Sequence, residues 1–412
     1  MKIVTLSPKK FDEFAKTHKY RNYYQTSNYG NLMIKFGYNV HYLGILDESD
    51  TLIGATIILY KEVFMGNKIA YAPRGILFDF ENKEQTLLLS DKLKQLLGKQ
   101  GFMLLRMDPY IISTIRDSKG NIINFNNQAN IIQANLESAN FNYKGKTLYF
   151  ENEKPRWESL VLLNKHTDIL YKELDKRTRH KIKKATISGV EIIKDNDTDL
   201  NKIYSFIKNK NHKPLRYYKE LINNYNCDIY IAKLNTETFV INSRKLYENE
   251  MNRNDILAKK IQSPNTKGVA KRTILNAKME SDKLLNIYKN NLVLATKLLK
   301  ENPSGLIVGG GIVLNYDNAA YLIIEGFDKT YSFLNSNYLL KWQMISDYKQ
   351  KNYKYLNLNA VVGEFEKDNQ YKGLNEMKLG YKSLITEYIG EFDIILNNFT
   401  YGIYKNFSKN KK

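Results

Sequence analysis

The sequence predicts an α+β protein made of two tandem copies of one architecture, with a helical hairpin inserted in the second. Three observations lead there. Short apolar segments with the period of strands are separated by tight turn signals, their order returns later in the chain, and one long helical insertion parts two of them.

IVTL and helices over about 8–35 open the first copy. The next segment reads as a three-strand meander: HYLGIL, a turn at Asp47 to Asp50, TLIGATIILY, a turn at Gly66-Asn67, and KIAYAP. A helix over about 81–100, closed by Gly101, leads to the strand FMLLRM, which stops at Asp108-Pro109. The order is β-β-β-α-β. WESLVLL and helices over 166–224 precede the second copy, whose strands are CDIYIAKL, GLIVGGGIVL and AAYLIIEGF, with a turn at Asn315 to Asn318. A helix over about 336–351 and the strand YKYLNLNAV complete it. Gly309 to Gly311, inside a strand, predict a bulge or a close backbone approach rather than a phosphate loop.

Where the first copy has a four-residue turn, the second has about 70 residues, Asn235 to Asn302. Apart from Pro264 and a turn at SPNTKG this insertion reads as helix. Ile274, Ala277, Leu284, Ile287, Leu294 and Leu298 recur at the spacing of a two-helix seam. With thirteen basic and seven acidic residues it is a basic arm, either a docking element or a solvated coiled-coil face. The expected division is 1–150 plus 380–412 for the first domain, 151–234 plus 303–379 for the second, and 235–302 for the arm.

Composition narrows the function. At 412 residues the chain holds two or three domains, and 43% hydrophobic with 26% charged residues excludes wholesale disorder. No apolar run is long enough to span a bilayer, and MKIVTLSPKKFDEF lacks the apolar core of a signal peptide, so a cytoplasmic protein is expected. A single cysteine, Cys227, makes no intrachain disulfide and reads as core. Five scattered histidines give no metal-ligand spacing. The 63 Lys and Arg against 43 Asp and Glu leave a net charge of +20, which favours polyanionic partners: RNA, nucleotide sugars or an anionic membrane face. Part of that excess belongs to a composition rich in Lys, Asn, Ile and Tyr, the usage of an AT-rich genome. The 31 tyrosines are so widespread that aromatic interleaving carries no base-stacking signal.

The doubled order resembles the acyltransferase fold of many N-acetyltransferases, the GNAT fold, used twice. Coenzyme A users of that fold cradle the pyrophosphate on a glycine-rich loop at a helix N-terminus. Neither APRGILFDFENKE nor GFDKTYSFLNSN carries such a loop, so coenzyme A is not expected. No Ser or Cys nucleophile with a paired His and acid stands out, which leaves positioning and electrostatics to carry the chemistry. That suits transfer of an already activated acyl group to an amine.

NLMIKFGY, YAPRGILFDF, LLRMDPY, RTRHKIKKATISGVEI and NEMKLGYKSLITEYIGEF, in that order, resemble the Fem family, the tRNA-dependent aminoacyltransferases that build the interpeptide bridge of Gram-positive peptidoglycan. The resemblance runs from about residue 5 to 395. It implies transfer of Gly, Ala or Ser from aminoacyl-tRNA, as co-substrate, to the stem-peptide amine of a peptidoglycan precursor, without metal or coenzyme A. The arm resembles that of members acting on lipid II rather than UDP-MurNAc-pentapeptide. Work at the inner membrane face, and related Fem-type proteins as partners, are also implied. Two other readings keep the same residues: a tRNA-dependent transferase with a lipid or protein acceptor, and a non-catalytic basic RNA-binding protein.

The resemblance also implies residue roles. Lys35 and Arg216 would hold the precursor's diphosphate, where the bland reading is surface charge. In YAPRG, Tyr71 and Arg74 are expected to bind substrate. Lys378, the lysine of the family's Phe-Lys-x-Gly-Phe motif with Met377 replacing the aromatic, would stabilise the oxyanion of the tetrahedral intermediate or grip the tRNA end. Asp108, at a strand end fixed by Pro109, would accept the amine's proton or orient the amine, or else simply shape a turn. Arg177, Lys181 and Lys184 recur at helical spacing, with Arg179 and Lys183 beside them, as a phosphate path or a solvated face.

Overall fold

The computed structural model describes residues 1–64, 66–207, 213–263, 267–366 and 369–409. Residues 264–266 of the expected turn SPNTKG, and the last three residues, 410–412, lie outside the described residues. In chain order the first half gives β1 (Lys2–Thr5), α1 (Pro8–Thr17), α2 (Ser27–Ile34), β2 (Asn39–Leu46), β3 (Leu52–Phe64), β4 (Asn67–Ala72), α3 (Lys83–Lys99), β5 (Phe102–Met107), β6 (Ile112–Arg116), β7 (Ile122–Phe125), α4 (Asn127–Ser138) and β8 (Asn142–Tyr143). The second opens with β9 (Trp157–Leu162), α5 (Thr167–Glu173), α6 (Lys176–Ile187), β10 (Val190–Lys194), α7 (Leu200–Ser205), α8 (Leu215–Asn224) and β11 (Cys227–Leu234). The arm helices α9 (Thr236–Gln262) and α10 (Gly268–Glu301) follow. Then come β12 (Leu306–Tyr316), β13 (Ala319–Phe327), a 3-10 turn (Lys329–Leu334), α11 (Ser336–Gln350), β14 (Tyr355–Ala360), α12 (Lys372–Leu379), β15 (Leu384–Tyr388), β16 (Phe392–Ile395) and α13 (Asn398–Lys409).

Local chemistry accounts for the principal elements. The Asn82 side chain caps α3 by accepting from the Gln85 amide at 3.0 Å, and Leu89, Leu93 and Leu97, four apart, bury one face of that helix. TLIGATIILY reads as a near-continuous apolar run because β3 is covered on both faces, Ile57 and Leu59 toward one core and Ile58 toward another. Among the described residues the strands form two sheets, β1-β2-β3-β4-β5-β16-β8 and β10-β11-β12-β13-β14-β9-β15-β6-β7. In both, the meander is antiparallel and the strand after the helix joins it in parallel.

Three apolar layers hold the molecule together. One lies between the first sheet and α3 with α4, and one between the second sheet and α6, α11 and the base of the arm. The third is shared: α1 and α2 from the first half and α7 and α8 from the second are packed between the two sheets.

The structure redraws the expected domain boundaries. The hairpin β6–β7, placed by sequence in the first domain, pairs with β15 in the second sheet, and β15, from the segment 380–412, joins it there. Only β16 of that segment returns to the first sheet, between β5 and β8. The crossing from β15 to β16 turns at Gly390, φ +98°, where a Cβ would stand 1.9 Å from Arg156 Nη2, so only glycine fits. The stretch 166–224, expected to be helical, also contains β10, which forms the sheet edge against β11.

In the arm, the seam passes through Ser281, Ala295 and Leu298. Ile287 is 51% exposed and lies off it. Asn254 donates to Ser281 Oγ at 3.0 Å and to Asp282 Oδ1 at 2.8 Å, a polar layer that fixes the register of the two helices. The glycine triplet is a close approach: a Cβ at Gly310 would meet Tyr230 O at 2.7 Å, and the ladder beside it shifts register between Ile312 and Val313. Burial pushes the Cys227 thiol up to about 12, as expected of a core cysteine. No helix of the described residues is long and apolar enough to cross a membrane.

Candidate active site

Asp108 follows β5 where the β4–β5 ladder ends at Ala72 opposite Met107. Its carboxylate is 1% exposed. Oδ1 accepts from the Tyr71 hydroxyl at 2.9 Å and from the Arg74 amide at 2.8 Å, while Oδ2 accepts no hydrogen bond among the described residues and lies 3.6 Å from Arg74 Nη1. Burial raises its pKa to about 6, against the opposing pull of the Arg74 charge. A carboxylate so placed can exchange a proton near neutrality.

Tyr71 and Arg74, expected to bind substrate, both contact Asp108. Tyr71 spends its hydroxyl on Asp108. Arg74, 1% exposed and with left-handed backbone at φ 50°, lies between Asp108 and Glu158, with Nη2 2.8 Å from Glu158 Oε1 and 2.6 Å from Pro155 O. Its guanidinium also rests 4.3 Å from the Tyr388 ring centroid. The buried guanidinium thus faces two carboxylates, one from each sheet.

Glu158, on β9, is the residue that sequence reasoning missed. It accepts from Arg74, from Asn357 Nδ2 at 2.7 Å and from the Tyr388 hydroxyl at 3.1 Å. An acid inside the apolar run WESLVLL is itself a signal, because a buried charge needs a partner. Glu158 stands opposite Ala360 in the β9–β14 ladder, and the carbonyl of Ala360 accepts from Lys378 Nζ at 2.7 Å. Asp108, Arg74 and Glu158 therefore form one set of contacts between the two sheets, and Lys378 is tied to the backbone of the strand beside Glu158.

Lys378 is buried near the C-terminal end of α12. It lies beyond the point where the parallel β13–β14 ladder stops, Tyr321 opposite Asn357. Past it the two strands are unpaired, whereas the equivalent ladder of the first sheet runs to the end of both strands. On the β13 limb the buried Lys341 pairs with Glu325. Asn337 Nδ2 donates to the Met377 sulfur at 3.2 Å, so a polar contact occupies the aromatic's place in the motif.

Lys35 and Arg216 do come together, although they are far apart in sequence. Lys35 caps α2 and stands 2.5 Å from Glu220 on α8, and the Arg216 guanidinium lies 5.7 Å from the ring of Phe36. Both cations lower the Glu220 pKa, Lys35 the more. They form an exposed positive pair at the seam of α2 and α8, between the two sheets.

The cations of α6 do not form one free stripe. Arg177 pairs with Glu376 at 2.9 Å, and Lys181 donates to the Tyr338 hydroxyl at 2.7 Å. Lys184 faces elsewhere, lining with Lys183 and Ile287 a groove of about 520 Å³ at the base of the arm. Arg177 lines a separate cleft of about 310 Å³ with Lys119, Lys372 and Tyr338, beside the helix that carries Lys378. Among the described residues no cluster of three or more His, Cys, Asp or Glu is arranged to hold a metal ion.

The profile of the FemAB family matches residues 6–409. The aminoacyltransferase FemA of Staphylococcus epidermidis is 24% identical over 431 aligned positions that take in all of both chains. FemA of Staphylococcus aureus is 23% identical over all of this chain and 99% of its own. The crystal structure of FemX has the same fold, with a TM-score of 0.70 over 98% of this chain and 99% of that one, at 17% identity.

Proposed function

The chain belongs to the FemAB family and is an aminoacyltransferase, and from that premise we propose that it moves Gly, Ala or Ser from aminoacyl-tRNA to the stem-peptide amine of a peptidoglycan precursor, building the interpeptide bridge. The acceptor in this reading is lipid II in preference to UDP-MurNAc-pentapeptide, met at the inner membrane face, with the arm as support for the lipid-linked form.

The observation that supports the proposal is the set of contacts from Asp108 through Arg74 to Glu158, with Lys378 bound to the neighbouring strand at Ala360 and the Lys35–Arg216 pair at the inter-sheet seam. Lys35 and Arg216 hold the diphosphate. Asp108, ionised above its pKa, takes a proton from the acceptor's ammonium or orients the amine. The nitrogen attacks the ester carbonyl of the aminoacyl group, and Lys378 stabilises the oxyanion. The C–N bond forms first, giving the tetrahedral intermediate; its collapse breaks the C–O bond, and the ribose oxygen leaves with the proton released by the attacking nitrogen. Amide formation from an ester runs downhill, so the proposed step calls for neither metal nor coenzyme A.

The test is single-turnover transfer from a pool of radiolabelled aminoacyl-tRNAs to purified lipid-linked and soluble precursors. Label in a precursor, falling sharply in Lys378→Met, supports the reading and identifies acceptor and amino acid. No label in either, with tRNA still bound, overturns it in favour of a lipid or protein acceptor or a binding role alone.

A further inference from the structure

Lys154, in the connection between the sheets, lies within electrostatic reach of the Asp108 carboxylate. Lys154 Nζ lies 4.2 Å from the ring centroid of Tyr24 and 5.8 Å from that of Tyr29. Both its neighbours are pinned: the Glu153 amide donates to Glu391 Oε1 at 2.8 Å, and Pro155 O accepts from Arg74 at 2.6 Å. Lys154 is thus held with its side chain directed into a space walled by π faces, with Tyr217 and Asp108 also within electrostatic reach. These groups keep its ammonium protonated against the pull of burial, which is the behaviour of a seat built for a cation.

We propose that Tyr24 and Tyr29, with Tyr217 and Asp108 nearby, form the seat for the acceptor's primary ammonium, and that Lys154 fills this seat in the free enzyme. The inference rests on the proposed function and adds the amine subsite to it. Two features favour the acceptor over the α-ammonium of the aminoacyl donor. Tyr29 is carried by α2, which ends at Lys35, and Tyr217 follows Arg216 on α8, so one ligand spanning this seam meets the cation pair with its phosphates and the aromatic walls with its amine. The occupant is also an unbranched alkylammonium, the chemistry of a side-chain amine. On binding, the acceptor replaces one ammonium by another, so no uncompensated charge is left over Asp108.

The experiment measures binding without any transfer, so its failure is separable from failure of the proposed function. n-Butylammonium, with n-butanol as the neutral control and glycinamide standing for the donor's α-ammonium, is titrated by calorimetry and saturation-transfer NMR into wild type, Lys154→Ala, Lys154→Met and Lys154→Ala with Tyr24→Leu. Lys154→Ala is expected to bind n-butylammonium about tenfold more tightly than wild type, with the gain lost in the double variant and absent for n-butanol. Lys154→Met, whose neutral chain still fills the space, shows no gain. Equal affinity in wild type and Lys154→Ala overturns the proposal. So does tenfold tighter binding of glycinamide than of n-butylammonium, which gives the seat to the donor.

Discussion

Arg74 Nη2 stands 2.8 Å from Glu158 Oε1, an ion pair that joins a loop of the first sheet to a strand of the second with both side chains buried. The same guanidinium faces Asp108, so its loss leaves two carboxylates without their counter-charge. Removing one partner of a buried pair typically costs about 3–5 kcal/mol, more than the pair contributes over an apolar replacement. Arg74→Met is expected to lower the unfolding free energy by that order in urea titrations, and Arg74→Met with Glu158→Gln to recover part of it. A loss under about 1 kcal/mol would show that the pair does not hold the sheets together.

Asp108 is expected to make both stability and the proposed transfer rate depend on pH. Its folded pKa, about 6, is raised above the ordinary carboxylate value, so its contribution to stability is complete below about pH 4 and is lost as pH rises through 6. Asp108→Asn should therefore gain stability relative to wild type between pH 4 and 7. The transfer rate runs the other way. It rises with the ionised form through a limb near pH 6, and Asp108→Asn is expected to remove that limb and lower the rate by about 100-fold. A limb that persists in Asp108→Asn assigns the titration to another group.

Glu220 pairs with Lys35, so under the proposed function it is expected to compete with the precursor's diphosphate. Lys35→Ala and Arg216→Ala are each expected to raise the KM for a diphosphate precursor about tenfold, with the effect fading at high salt. Glu220→Gln should lower that KM by about two- to fivefold, since Lys35 no longer has an exposed carboxylate to answer. Steady-state kinetics at two ionic strengths decide it, and a raised KM in Glu220→Gln would mean that the glutamate organises the pair.

Lys378→Met keeps the length of the side chain and removes the charge. A fall of about 100- to 1000-fold in the single-turnover rate, with precursor binding retained, is the expectation for a group facing a developing oxyanion. Retention of most of the rate would confine Lys378 to tying the end of β14 through Ala360.

The meanders and the arm are legible in the sequence because their pattern is local: short apolar runs bounded by turn residues in β2, β3 and β4, and seven-residue recurrence in α10. Lys35 and Arg216 were legible only through the family, yet the fold does bring them to one seam. What stayed hidden is non-local. β6, β7 and β15 are short and take their sheet from partners far along the chain, and β10 lies in a stretch whose charges read as helix. The Arg74–Glu158 pair is equally hidden, because nothing in YAPRG tells that a partner carboxylate lies on a strand of the other sheet.

The late crossing of β15 and β16 bears on how the molecule is made. The first sheet keeps a gap between β5 and β8, and the second lacks the link between β9 and β6, until Leu384–Ile395 has left the ribosome. Domains of a nascent chain ordinarily fold in turn from the N-terminus. Here neither half can close ahead of the other, so the polypeptide spends nearly all of its synthesis with two open sheets. Premature termination before Leu384 therefore yields no usable half-enzyme, only a chain with unpaired strand edges that chaperones and proteases must clear.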